Sequence, residues 1–126
     1  MGLFDKMFGG KSEKVERDLP WKPLVSIGQL EDIKNASNER PQVLFKHSTR
    51  CGISRMVLSQ FEKDYNNETD VDLYFLDLLQ HRDVSNAIAE QFNVYHESPQ
   101  LLIVKNGIVV KHASHGSINN IDLTTI

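Results

Sequence analysis

The stretch Val43-Leu44-Phe45-Lys46-His47-Ser48-Thr49-Arg50-Cys51-Gly52-Ile53-Ser54 changes its periodicity at the chain's only cysteine. Before Cys51, the apolar run Val43-Leu44-Phe45 predicts a short strand over 42–47, apolar on both faces like a central strand covered on both sides. After it, Ile53, Met56, Val57, Phe61 and Tyr65 recur at helical spacing, predicting a helix from about Cys51 to Tyr65 that Asn66-Asn67 ends. Cys51 therefore stands where a strand hands over to a helix. The free N–H groups and dipole of a helix start favour negative charge, so a thiol placed there is readily made a thiolate.

Working outward, Leu19-Pro20-Trp21 opens the folded part. Pro20 and Pro23 bracket Trp21 and favour an extended segment. Ser26 is placed to cap a helix from Ile27 to about Asn35, with Leu30 and Ile33 on its apolar side. Val71 to Leu76 predicts a second strand, and Asp83 is placed to cap a helix through Phe92 carrying Val84, Ala87, Ile88 and Phe92 on one face. Ser98-Pro99 leads into the strand Gln100 to Val104. Asn106-Gly107 predicts a hairpin turn into Ile108-Val109-Val110. A last short helix holds Ile118, Ile121 and Leu123. Right-handed crossovers make the two strands flanking the cysteine helix parallel. The expected architecture is α/β: a four-stranded mixed central sheet with helices on both faces.

The chain has 126 residues, a net charge of -3 and 25% charged residues. That fits one ordinary domain over 19–126 behind a flexible, glycine-led N-terminal tail over 1–18. No basic stripe interleaved with aromatics supports nucleic-acid binding. No apolar run approaches membrane-spanning length. Residues Met1 to Phe8 do not read as a signal peptide. A single cysteine excludes an internal disulfide and a thiol-only metal cage. A lone thiol without an export signal is expected in a reducing cytoplasm.

A strand, a cysteine opening a helix, and a proline directly before an apolar hairpin resemble the thioredoxin fold. Within that superfamily, Phe45-Lys46-His47-Ser48-Thr49-Arg50-Cys51-Gly52-Ile53-Ser54, then Glu97-Ser98-Pro99-Gln100 and the hairpin, resemble the monothiol bacilliredoxins of the YtxJ type. The resemblance runs from about Trp21 to Ile126. It implies a cis Ser98-Pro99 bond in a loop facing Cys51, and bacillithiol as co-substrate with no bound cofactor. It also implies bacillithiolated client proteins and a regenerating reductase or thiol as partners. Family members often carry proline directly after the cysteine, where this chain has Gly52.

Around Cys51 as attacking thiolate, Arg50 adds a neighbouring cation, and Gly52 begins the helix. Thr49 and Ser54 can offer hydrogen bonds to the sulfur. Ser98 and Pro99 can hold a bare strand edge for substrate. The spacing C-x-x-S leaves no second thiol to resolve a mixed disulfide, so an accepted group must be released by another molecule. Other readings of the same residues stay open. Cys51-Gly52-Ile53-Ser54 also resembles the Cys-Gly-Phe-Ser of iron–sulfur-binding monothiol glutaredoxins. An adaptor with Cys51 as an oxidation sensor is the third reading. His112-Ala113-Ser114-His115 offers two ligands, too few for a metal site. His47 and Asp77 lie at strand ends, either near the cysteine or as ordinary surface and capping groups.

Overall fold

A computed structural model describes residues 19–66 and 68–126. The expected tail over 1–18, and Asn67 of the helix-ending pair, lie outside the described residues. Among the described residues, five strands and three α-helices follow one another: β1 Trp21–Pro23, α1 Gln29–Ala36, β2 Gln42–His47, α2 Gly52–Asp64, β3 Asp72–Asp77, α3 Arg82–Phe92, β4 Gln100–Lys105 and β5 Ile108–Ser114. Two 3-10 helices, His115–Asn120 and Leu123–Thr125, follow β5.

The strands form one sheet in the order β1-β3-β2-β4-β5. β2 and β3 are parallel, while β4 runs antiparallel to both β2 and β5. The fold is thioredoxin-like α/β, but the sheet has five strands where the sequence predicted four. The fifth is the proline-flanked segment: Trp21, Lys22 and Pro23 pair in parallel with Leu73, Tyr74 and Phe75. The Leu24 N–H adds a bond of 2.9 Å to Phe75 O. Three residues are too few to show alternation, and proline is tolerated because this is an edge strand.

All six residues of β2 are buried. Successive side chains of a strand point to opposite faces, so β2 feeds two cores. Val43 and Phe45 join Val57 and Phe61 of α2, together with Tyr65 and Ile118. Leu44 joins Leu30 and Ile33 of α1 and Val84, Ile88 and Phe92 of α3. Trp21 links edge to helix: its indole N–H donates to Glu62 Oε2 at 2.9 Å, and its ring lies 5.8 Å from that of Phe61.

Helix starts differ from expectation. α1 begins at Gln29, and Ser26 does not cap it. Instead Gln29 Oε1 accepts from the N–H groups of Val25 and Ser26 at 2.7 and 3.0 Å, and its Nε2 donates to Pro23 O at 2.9 Å. The glutamine thus closes the turn ahead of the helix, while the first helical N–H groups go to backbone, with Gln29, Leu30 and Glu31 N donating to Ser26, Ile27 and Gly28 O. Asp83 lies inside the first turn of α3, with His81 at the cap position. The closing helix is two 3-10 turns rather than one α-helix, the second capped by Asp122 accepting from Thr124 N. The hairpin is as expected: Asn106 and Gly107 both have positive φ, 52° and 82°, the geometry of a two-residue turn that matches strand twist. Ser37 ties it to α1, its carbonyl accepting from Asn106 N and its hydroxyl from Gly107 N.

Candidate active site

The C-terminal ends of β2 and β3 and the start of β4 meet at one end of the sheet. From β2 the chain turns through Ser48, Thr49 and Arg50, closed by a 3.2 Å bond from Cys51 N to Ser48 O. Cys51 itself is the extended N-cap residue of α2 (φ −104°, ψ 119°), with its carbonyl accepting from Arg55 N at 3.1 Å. No side chain caps this helix. The first-turn N–H groups of Gly52, Ile53 and Ser54 therefore lack intrahelical acceptors at the end where Cys51 sits. The cysteine is a half-buried free thiol, while Thr49, Arg50 and Gly52 are exposed.

Ser54 is fully buried. Its hydroxyl accepts from Ser48 N at 3.1 Å and lies 2.8 Å from His47 Nδ1. The hydroxyl that the C-x-x-S spacing offered to the sulfur is thus engaged by the loop that carries the sulfur. His47 is also buried, beside Asp77 across the parallel ladder. Burial first, and then Arg55, push the imidazole below its ordinary pKa, while Asp77 pulls it up. A neutral ring next to the Ser54 hydroxyl is what that environment favours.

Ser54→Ala is therefore expected to destabilise the protein by about 1–3 kcal/mol, because it strands a buried imidazole nitrogen and the Ser48 N–H. Urea unfolding measures this; a midpoint equal to that of the parent would mean the contact contributes nothing.

Arg55 is a site residue that sequence reasoning missed. It donates to Thr49 O at 3.3 Å and lies over Gly52, where an added Cβ would meet its guanidinium at 3.9 Å. The signal was available: helical side chains lean toward the N-terminus, so a long cation one turn in covers the preceding loop.

The Ser98-Pro99 peptide bond is cis, and Pro99 is buried. Lys46 pairs with Gln100 in the β2–β4 register. One further step along that register sets Pro99 opposite His47, so the proline loop lies at the end of β2 from which the cysteine loop departs. Pro99 O accepts from His115 N at 3.0 Å, and Glu97 bonds the Ser114 hydroxyl. The Ser98 hydroxyl is buried without a hydrogen-bond partner. His115 thus holds the proline loop by its backbone, while His112 is exposed on β5. Asp77 caps a turn, accepting from Leu79 N at 3.1 Å.

The family model described as monothiol bacilliredoxin BrxC matches residues 22–123. The chain belongs to the monothiol bacilliredoxin family. A solved structure described as a candidate oxidoreductase with a thioredoxin fold is 39% identical. That match covers 79% of this chain and 87% of the other, with a TM-score of 0.69. Thioredoxin from Malassezia sympodialis is 20% identical over 78% of this chain and 81% of its own, with a TM-score of 0.60. Thioredoxin from Fasciola hepatica is 21% identical over 75% and 86%, also at 0.60. The last two likenesses concern the fold alone. Bacilliredoxin membership and a cysteine at a helix start in a thioredoxin fold give this chain a thiol redox role. Among the described residues, no helix is long and apolar enough to cross a membrane.

Proposed function

We propose that the protein is a monothiol thiol–disulfide oxidoreductase that removes bacillithiol from mixed disulfides on client proteins. The observation that carries this reading is the placement of the only thiol. Cys51 stands at the uncapped N-terminus of α2, at the same sheet end as the Ser98–Pro99 loop, in a bacilliredoxin chain. The Cys51 thiolate attacks the bacillithiol sulfur of a client–S–S–bacillithiol adduct. The S–S bond breaks, the client departs as its thiolate, and a new disulfide joins Cys51 to bacillithiol. A second thiolate, from a small thiol or a reductase, then attacks the bacillithiol sulfur and frees Cys51.

Gly52, Ile53 and Ser54 offer N–H groups to developing charge on sulfur, and Arg50 and Arg55 supply nearby positive charge. Thr49 serves as the carbonyl anchor for Arg55. Ser98, held by its cis bond to Pro99, presents its backbone to an extended client segment. The reducing cytoplasm is the compartment in which such a thiol stays free. Bacillithiol is a co-substrate here and not a resident cofactor.

The test is incubation of the reduced protein with a bacillithiol-capped peptide, followed by intact mass. The expected result is one adduct per chain, on Cys51, with release of free peptide thiol. Because the chain has one cysteine, the reaction stops after a single equivalent until an external thiol is added. Continued turnover without added thiol, or no adduct at all, would overturn the reading.

A further inference from the structure

Lys46 has no measurable exposure, yet among the described residues no carboxylate pairs with it. Its side chain lies on the face of the sheet opposite α2, since it shares the parity of Leu44. There the amine donates to Ser85 O at 3.2 Å and lies 3.2 Å from His96 Nδ1. The Ser85 hydroxyl lies 3.0 Å from the same nitrogen. Gln100, opposite Lys46 in the ladder, donates from Nε2 to Tyr95 O at 2.8 Å. Residues 93–99, which end in Ser98 and Pro99, are thus pinned twice to the top of the sheet. Burying an unpaired ammonium is costly, and this one is kept where it reaches that loop.

We propose that Lys46 is a positioning residue: its bond to His96 latches the 93–99 loop and so sets the backbone edge at Ser98–Pro99 that receives the client. The role of that edge rests on the bacilliredoxin reading above. An ammonium can donate to Nδ1 only while that nitrogen keeps its lone pair, so the latch requires neutral His96 with its proton on Nε2. Protonation replaces the acceptor with a second cation beside the first. The groups facing His96 are Lys46 from β2, Ser85 and Arg82 from α3, and Glu97 on its own loop. Burial, Lys46 and Arg82 lower its pKa, in that order, and Glu97 opposes them. The latch is therefore closed above the ordinary histidine range and opens as pH falls through the lowered pKa. Burial also brings Lys46 down to about 8. Deprotonation above that leaves a neutral amine that still donates.

The test reads both geometry and kinetics. In NMR titration, Lys46→Met is expected to raise the His96 midpoint by about half a pH unit or more, by removing the adjacent cation. An unmoved midpoint would overturn the latch. That readout needs no substrate. If the parent moves no bacillithiol while the midpoint still shifts, the functional reading falls and the latch stands. The His96 side chain is only partly covered, which allows a second variant pair that keeps the fold out of question. His96→Ala is expected to raise KM for a bacillithiol-capped peptide about tenfold, with kcat changed less than about twofold. His96→Asn keeps an acceptor at the Nδ1 position, and is expected to restore KM. It should also abolish the rise of KM that the parent shows on acidification. Equal KM values for His96→Ala and the parent would overturn the proposal, as would an Asn variant no better than Ala.

Discussion

Cys51→Ser is expected to lower the rate of bacillithiol transfer by about a thousandfold or more, to the level of the uncatalysed exchange. Serine keeps the size of the side chain and is itself a favoured N-cap residue, so the helix start survives and the loss is chemical rather than structural. The hydroxyl cannot form a disulfide. With one cysteine in the chain, no other side chain can take its place. Intact mass and release of peptide thiol measure the outcome together. Transfer at the parental rate would mean that the adduct never passes through Cys51, and would remove the enzyme reading altogether. Thermal unfolding should meanwhile give a midpoint within a few degrees of the parent's.

The elements around Cys51 were legible because each writes a strong local pattern. The apolar run of β2, the 3.6-residue spacing of α2 and the Asn-Gly turn all depend on short-range physics. β1 was not legible, because three residues flanked by prolines acquire strand character only by pairing with β3. The α1 cap was misassigned for a related reason. Ser26 has the right chemistry, but its backbone carbonyl rather than its hydroxyl accepts from Gln29 N, while Gln29 Oε1 takes the N–H groups of Val25 and Ser26 ahead of the helix. At the site, sequence spacing placed Ser54 near Cys51 but could not say where its hydroxyl points. That direction is set by His47, supplied from the strand end seven residues earlier. Nothing in the local sequence singles out Lys46. It is buried because α3 and the 93–99 loop close over it, a long-range event with no local signature.

β2 emerges as the organising strand, since its last residues serve opposite faces. His47 holds the cysteine loop through Ser54 on the α2 side, and Lys46 reaches the proline loop on the other. Both depend on the strand being fixed beneath them, which places much of the weight on Phe45. Its ring is fully buried and lies 5.7 Å from that of Phe61, 6.0 Å from Trp21 and 6.5 Å from His47. It therefore joins the edge strand, the cysteine helix and the imidazole behind the cysteine loop.

Phe45→Ala removes the shared partner of all three and leaves a cavity that the rigid sheet fills only in part. The expected cost is about 3–5 kcal/mol, a large share of the roughly 5–15 kcal/mol that keeps a domain folded. In urea the midpoint should fall while the slope stays constant, since the surface exposed on unfolding hardly changes. Phe45→Leu, which keeps most of the volume, should cost roughly 1 kcal/mol. Truncating Leu58, which only packs against the margin of this core, should cost less than truncating Phe45. The reverse order would show that α2 is held mainly by its outer face. The core of β2 would then not be what places Cys51.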